Sequence, residues 1–312
     1  MRVTLIHNPG AGKHGKEELQ KLLELIREAG HELRYQSAKD DDWVKALDEP
    51  ADFVAVAGGD GTVSRVAKRL VGRGIALAPL PAGTANNIST TLGLVGRPLE
   101  ALVRGWKDAR RMKLDIGIAQ GPWGRRYFVE GFGIGLFAHT VPLVASSPEL
   151  RTIKQPKDKV VFAQQKLKDR LDRSPVVSLE ATLDGEDVSG DYVMFEALNI
   201  PYVGPNLFLA PDSKPGDGQF DLVMVGEAER ERLSQYLLHW QENKARLAVL
   251  PSRQGRELRI EWTGFRVHLD DEFWPEDESE AQGSGAIEVR IQAAAVEVLA
   301  PADLESPEVR RR

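Results

Sequence analysis

The chain contains no cysteine. That absence excludes disulfides, thiolate metal ligands and a cysteine nucleophile together, and it fits a cytoplasmic protein. No apolar run approaches the roughly 20 residues that a membrane-spanning helix needs. No signal-peptide pattern opens the chain, because its first apolar stretch is too short. Excess positive charge is lacking as well. A formal net charge of −6 argues against general nucleic-acid binding, which needs cations facing phosphates. What is present is ordinary for a soluble globular enzyme: 42% hydrophobic and 28% charged residues, over a length sufficient for two domains.

The first motif follows at once. Gly10 to Glu17 reads GAGKHGKE, close to a P-loop but with Glu17 where the Mg²⁺-holding hydroxyl belongs. The short apolar run Val3–Ile6 precedes it, and Leu19, Leu22, Leu23 and Ile26 follow at helical spacing. The segment is therefore a strand, a glycine-rich turn and a helix. The backbone N–H groups of such a turn suit an anion. Glu17 does not suit a P-loop, but it suits the first turn of a helix.

Strand and helix signals alternate through the first 110 residues. Glu32–Tyr35, Phe53–Ala57 and Ile75–Leu80 read as strands. Asp42–Leu47, the face Val63, Val66, Ala67 and Leu70, and the group Leu99, Leu102 and Val103 read as helices. Alternation of this kind means a doubly wound α/β domain, with ligands at the carboxyl ends of its strands. Beyond about Lys113, strand-like runs succeed one another: Leu114–Ala119, Tyr127–Val129, Val176–Leu183, Tyr192–Leu198, Phe220–Val225, Glu257–Trp262, Phe265–Leu269, Ala286–Ile291 and Ala295–Leu299. Helices are expected only around Lys157–Leu171 and Glu229–Leu247. The expected architecture is α/β plus β. Residues 1–113 form the nucleotide-binding domain, and 114–299 form an antiparallel, β-sandwich-like domain. The tail 300–312 packs back on the first.

Three glycine-bearing turns follow three strands of the first domain. They are Asn8-Pro9-Gly10-Ala11-Gly12-Lys13, Gly58-Gly59-Asp60-Gly61-Thr62 and Pro81-Ala82-Gly83-Thr84-Ala85-Asn86-Asn87. Glycine lets backbone approach a phosphate closely, and the threonines add hydroxyls. Asp60 is the odd member, a carboxylate that makes sense there if a cation is bound as well. One such turn is weak evidence. Three, each after an apolar strand, are not.

GGDGT, followed by PxGTxN and preceded by NPxxG, resembles the diacylglycerol kinase catalytic family, within a superfamily that includes NAD kinases and phosphofructokinases. The second half extends the resemblance through YFVEGFGIGLFA (Tyr127–Ala138), NIPYVGPNLFLAPDSKPGDGQFDLVMV (Asn199–Val225) and VHLDDE (Val267–Glu272). The match is poorest between Thr140 and Val188.

The resemblance implies an ATP- and Mg²⁺-dependent kinase acting on a hydroxyl of a diacylglycerol-like or sphingoid lipid. It implies that Asn8, Gly12, Lys13, Gly58, Gly59, Asp60, Gly61, Thr62, Gly83 and Thr84 hold ATP, with Ser37 as a further nucleotide contact. Asp60 organises Mg²⁺ at the phosphates. Asp270 and Glu272 supply the base for the lipid hydroxyl. Asp115 is expected as a cleft-facing carboxylate. Asp217, with the carbonyls of Lys214 and Gln219, matches a structural Mg²⁺ loop. Phe132, Ile134, Leu136, Phe137, Leu207 and Phe208 are candidates for an apolar trough. Where the family has glycine between the Asp and the Glu, this chain has Asp271, which leaves the base open among Asp270, Asp271 and Glu272.

Two alternatives stand beside the lipid kinase: a soluble-substrate kinase of the NAD kinase type, and a nucleotide- or lipid-binding protein with a decayed site. Between Arg151 and Arg173 there are eight Lys or Arg against three Asp, and the chain ends in three arginines. Such runs suit a solvated face or anionic headgroups. The expected location is cytoplasmic, with peripheral contact at the inner membrane face. No nucleic-acid partner is expected, and a homodimer is left open.

Overall fold

The structure is a computed structural model that describes residues 1–11, 16–241, 249–276, 281 and 283–303. The chain divides into two compact units. Met1–Leu114 and residues 294–303 form the first, and Asp115–Ala293 form the second.

The first unit is α/β. Its strands are β1 (Arg2–His7), β2 (Glu32–Ser37), β3 (Phe53–Gly58) and β4 (Ala76–Pro81). Its helices are α1 (Lys16–Glu28), α2 (Asp60–Leu70), α3 (Asn87–Thr91) and α4 (Leu99–Gly105), and Trp43–Leu47 forms a 3-10 turn. The strands pair in parallel, in the order β4-β3-β1-β2. Every residue of β3 is buried, which explains its uninterrupted apolar run: a central parallel strand is covered on both faces. In α1, Leu22, Leu23 and Ile26 are buried on one face, and Glu17 and Glu18 stand in the first turn.

Two long strands belong to both units: β5 (Arg110–Gly121), and the last strand, Gly285–Ala300. The second unit continues with β6 (Gly124–Phe128), β7 (Gly131–Gly135), α5 (Leu136–Ser146), α6 (Pro148–Thr152), α7 (Pro156–Leu171), β8 (Val177–Leu183) and β9 (Glu186–Asp187). Then come β10 (Gly190–Leu198), β11 (Tyr202–Val203), β12 (Leu207–Phe208), β13 (Phe220–Gly226), α8 (Arg230–Gln241), β14 (Ser252–Gly255), β15 (Glu257–Trp262), β16 (Val267–Leu269) and β17 (Glu272–Trp274). The last strand is β18. One antiparallel layer runs β17-β16-β7-β10-β13-β14, and another contains β8, β15 and β18. Between them lies a core that includes Phe128, Phe132, Phe195, Phe220, Ile260, Trp262 and Ile287. The other face of β10 and β13 is covered by α5, α7 and α8 through Phe137, Leu167, Leu171, Leu233 and Leu237.

Three features differ from the expectation. Helices α5 and α6 fill a stretch in which no helix was expected. Helix α5 is apolar on nearly every side and carries Pro142, so it shows no amphipathic period and contains a residue that normally argues against a helix. The expected strands Ala286–Ile291 and Ala295–Leu299 are one strand, with Ala294 at φ 52° inside it. Residues 294–303 group with the α/β unit, where Val298 pairs with Leu77 and Asp303 with Arg97 at 3.0 Å. Residues 242–248 of the expected helix 229–247, and 304–312 of the tail, lie outside the described residues.

Candidate active site

Parallel pairing brings the carboxyl ends of β1, β3 and β4 to one edge of the first unit, and there the glycine turns meet. The Asn8 Nδ2 donates to Thr62 Oγ1 at 3.0 Å, and Asn8 Oδ1 accepts from the Gly10 N–H at 2.9 Å. The Ala82 N–H donates to the Gly58 carbonyl at 3.0 Å. Gly59 and Gly83 face each other backbone to backbone. A Cβ on Gly59 would lie 3.0 Å from the Gly83 Cα, and one on Gly83 would overlap the Gly59 Cα. Asn86, at φ 58°, closes the third turn by exchanging two hydrogen bonds with Gly83. Ser37 ends β2 at the same edge, in register with His7.

Asp60 opens α2, and its Oδ1 accepts the Ile88 N–H at 2.9 Å. The carboxylate thereby ties the GGDGT turn to the start of α3. Burial pushes its pKa up, against the opposing pull of the backbone N–H groups around it. Thr62 is buried and turned toward Asn8, whereas Thr84 is exposed. Gly12 and Lys13 lie outside the described residues. Sequence reasoning missed Lys39. Its ammonium stands beside the Asn8–Gly10 turn, 3.3 Å from where a Gly10 Cβ would be. Nothing in its local sequence marks it, because the β2 loop reaches that turn only through the strand pairing.

In the second unit, Asp270 and Asp271 form the two-residue turn between β16 and β17, whose pairing sets Leu269 opposite Glu272. The left-handed residue is Asp270, at φ 53°, and Asp271 has no positive φ. The departure from glycine at 271 therefore carries no left-handed strain. Asp270 Oδ1 accepts the N–H groups of Val129 at 2.9 Å and Glu130 at 2.8 Å, and its own N–H donates to the Gly131 carbonyl at 2.9 Å. Glu272 is exposed and paired with Arg126 at 3.2 Å.

Asp115, expected to face a cleft, is instead completely buried. Its Oδ2 accepts the Gly218 N–H at 2.6 Å and its N–H donates to the Pro215 carbonyl, so it clamps the loop that carries Asp217. Buried Asn199 donates to the carbonyls of both Asp115 and Val129 at 2.9 Å, linking that loop to the Asp270 turn. Asp217 is exposed, and its Oδ1 accepts the Gln219 N–H at 3.0 Å, while the Lys214 carbonyl accepts the Gly216 N–H at 2.8 Å. Asp221, which sequence reasoning missed, is pushed up to about 6 by burial and by the negative charges of Asp217 and Asp212.

Among the described residues, no three carboxylate or imidazole groups converge as a metal cage. A cation at Asp60 or Asp217 would therefore rest on one carboxylate and backbone or phosphate oxygens. That donor set fits Mg²⁺, which keeps several waters and shares substrate phosphates. Five of the six trough candidates are core residues. Phe208 alone is partly exposed, in an aromatic row with Tyr202 at 4.8 Å and Trp240 at 6.3 Å.

Residues 2–118, the stretch with all three glycine turns, match the diacylglycerol kinase catalytic domain. That match, with the relatives named next, makes the chain a lipid kinase. It is 24% identical over 291 residues to a diacylglycerol kinase of Mycobacterium tuberculosis, covering 87% of this chain and 89% of that one. It is 26% identical over 235 residues to a diacylglycerol kinase of Bacillus subtilis, covering 73% and 74%. A crystal structure of a diacylglycerol kinase from Bacillus anthracis superimposes with a TM-score of 0.66 at 19% identity, covering 97% of this chain and 98% of that one. Yeast NADH kinase, in complex with NADH, shares the fold more distantly, with a TM-score of 0.52 at 10% identity over 99% and 85% of the two chains. Among the described residues, no helix is long and apolar enough to cross a membrane.

Proposed function

We propose that this kinase transfers the γ-phosphate of ATP to a hydroxyl of a diacylglycerol-like or sphingoid lipid, with Mg²⁺ as its cation. The observation that carries the reading is the backbone-to-backbone contact of Gly59 with Gly83 at the sheet edge. It puts two glycine turns where amides can crowd a phosphate chain. The Asn8, Ser37 and Thr84 side chains and the Gly58–Thr62 turn would hold the nucleotide. Asp60 would hold the cation at the phosphates, and the Lys214–Gln219 loop would hold a second through Asp217. Bound Mg²⁺ supplies neutralisation of phosphate charge. Glu272 takes the proton of the acceptor hydroxyl, and Asp270, fastened by the amides of 129–131, holds the turn that carries it. The lipid chains lie against the partly exposed aromatics around Phe208.

The basic helix α7 and the exposed Leu143 and Val161 suit peripheral contact with an anionic membrane. The chain acts in the cytoplasm, at its inner membrane face. The likeness to NADH kinase supports a second reading, phosphorylation of a soluble dinucleotide. Decay at position 271 has less support, since Asp271 replaces glycine without backbone strain. Radiolabelled ATP offered with diacylglycerol or sphingoid micelles, with NAD, or with no acceptor separates the three. Label in lipid alone is expected. Label only in NAD, or in nothing, overturns the reading.

A further inference from the structure

Glu196 on β10, Gly133 on β7 and His268 on β16 form one row across three adjacent strands, since Gly133 is in register with both. The glycine leaves the middle of that row empty, and a Cβ there would overlap the Glu196 carboxylate. Across the gap, Glu196 Oε2 meets His268 Nε2 at 2.8 Å, with both side chains almost completely buried. The other ring nitrogen, Nδ1, lies 3.3 Å from the carbonyl oxygen of Asp270. Each nitrogen of the ring thus faces an acceptor. With Nδ1 protonated, the ring donates to that carbonyl and a second proton lies between Nε2 and Oε2, whichever atom holds it.

Burial opposes charge on His268, but the Glu196 carboxylate, its hydrogen bond and the Asp270 carbonyl outweigh it, and the histidine is held above its ordinary range. Burial likewise pushes Glu196 up. The charged groups bearing on the ring, among the described residues, are Glu196 and Asp270. From α5 and β17 the rings of Phe137 and Phe273 stand near it, with centroids at 6.1 and 6.4 Å. Glu196 Oε1 is buried without a hydrogen-bond partner. A pair so incompletely satisfied is a poor stabiliser, and apolar residues of similar volume would serve the core as well or better. What the pair adds is a donor aimed at the Asp270 carbonyl.

We propose that His268, oriented by Glu196, is a positioning residue for phosphoryl transfer, because it pins the Asp270 carbonyl and with it the turn that carries Glu272. The inference rests on the lipid-kinase reading and deepens it. Asp270 is then held through its N–H, its carboxylate and its carbonyl, leaving the left-handed turn no freedom to swing Glu272.

Two measurements test it. Nitrogen-15 NMR of histidine-labelled protein should show a slowly exchanging proton on His268 Nδ1 from pH 5 to 9. An unprotonated Nδ1 overturns the proposal. In kinetics, the double variant Glu196→Leu/His268→Phe keeps the core apolar and avoids an orphaned charge. Its turnover should fall about 10- to 100-fold, with the KM for ATP unchanged. Glu196→Gln should stay within about threefold of wild type, because its amide can donate to Nε2 and keep the proton on Nδ1. Near-wild-type turnover in the double variant overturns the proposal. Should that variant not fold, the Nδ1 proton together with the Glu196→Gln rate decides. A wild-type protein that labels no lipid overturns the kinase reading, and the catalytic half of this inference with it. The NMR arm still decides whether the ring holds the carbonyl.

Discussion

The two units build their candidate sites from different material. The α/β unit uses backbone: glycine turns meet at the end of a parallel sheet, with the Asp60 carboxylate at their junction and the Lys39 ammonium beside the first turn. The β-rich unit uses side chains brought together from far apart in sequence. Asp270 fastens residues 129–131, Asp115 clamps the loop at 215–218, and Asn199 joins the two. A site made of backbone tolerates changes that keep the turns small, whereas one made of side chains depends on the partners of each carboxylate.

Asp60→Asn should abolish transfer with the fold intact, because the carboxylate of the backbone-built site is the proposed cation ligand. Losing several kcal/mol of charge neutralisation means a rate about a thousandfold lower or worse. Turnover within about threefold of wild type at saturating Mg²⁺ would refute that role. In the side-chain-built site, Glu272→Gln should lower kcat by about a hundredfold or more while ATP affinity holds. An equal loss in ATP binding, measured by calorimetry, would mean that the carboxylate serves the nucleotide instead.

Gly83→Ala probes the backbone contact alone. Its methyl has no space beside Gly59, so the turns must part, and the expected result is about 1–3 kcal/mol of lost stability with weakened ATP binding. Unchanged melting and an unchanged KM would show that the turns separate freely.

The units should also answer pH with opposite signs. His31 in the first unit is lowered by burial, followed by the nearby N-terminal and Lys107 charges. Its stabilising effect is present above pH 6.5 and lost as pH falls through its depressed value. Asp221 in the second unit is raised from 3.8 to about 6, so its effect is present below 3.8 and lost as pH rises through about 6. Hydrogen exchange resolved by unit at pH 4.5 and 7 should show the first unit loosening in acid. Asp221→Asn should remove a term on the order of 1–2 kcal/mol from the second unit's pH dependence. The same acid response in both units would mean that other groups dominate. The smallest effect is expected from Asp271→Gly, neutral to mildly activating in turnover, since residue 271 is not left-handed. Loss of activity in that variant would make Asp271 the base.

Most of the α/β unit was legible because its signals are local. Buried parallel strands are continuous apolar runs, turns between them are glycines, and α1 and α2 show one apolar face each. The second unit was legible as β and illegible in detail. Helix α5 hides because it is apolar all round, and β18 was read as two strands because Ala294 breaks the pattern inside one. Asp115 looked like a cleft residue and is a buried clamp, since no local pattern records what a loop a hundred residues away will wrap around. The roles of Gly133, Glu196 and His268 were invisible for the same reason.

By itself, then, the sequence determined the resemblance to a kinase family, the alternating architecture of the first unit, the β character of the second and the three phosphate-suited turns. These properties rest on local periodicity and on glycine's missing side chain, which act within a few residues. Only the tertiary structure decided which carboxylates are open and which are fastened. It also set the left-handed turn at Asp270 rather than Asp271 and gave His268 two acceptors. Those properties depend on strand register and burial, because a carboxylate's chemistry is set by whichever N–H groups, charges and apolar walls folding brings against it.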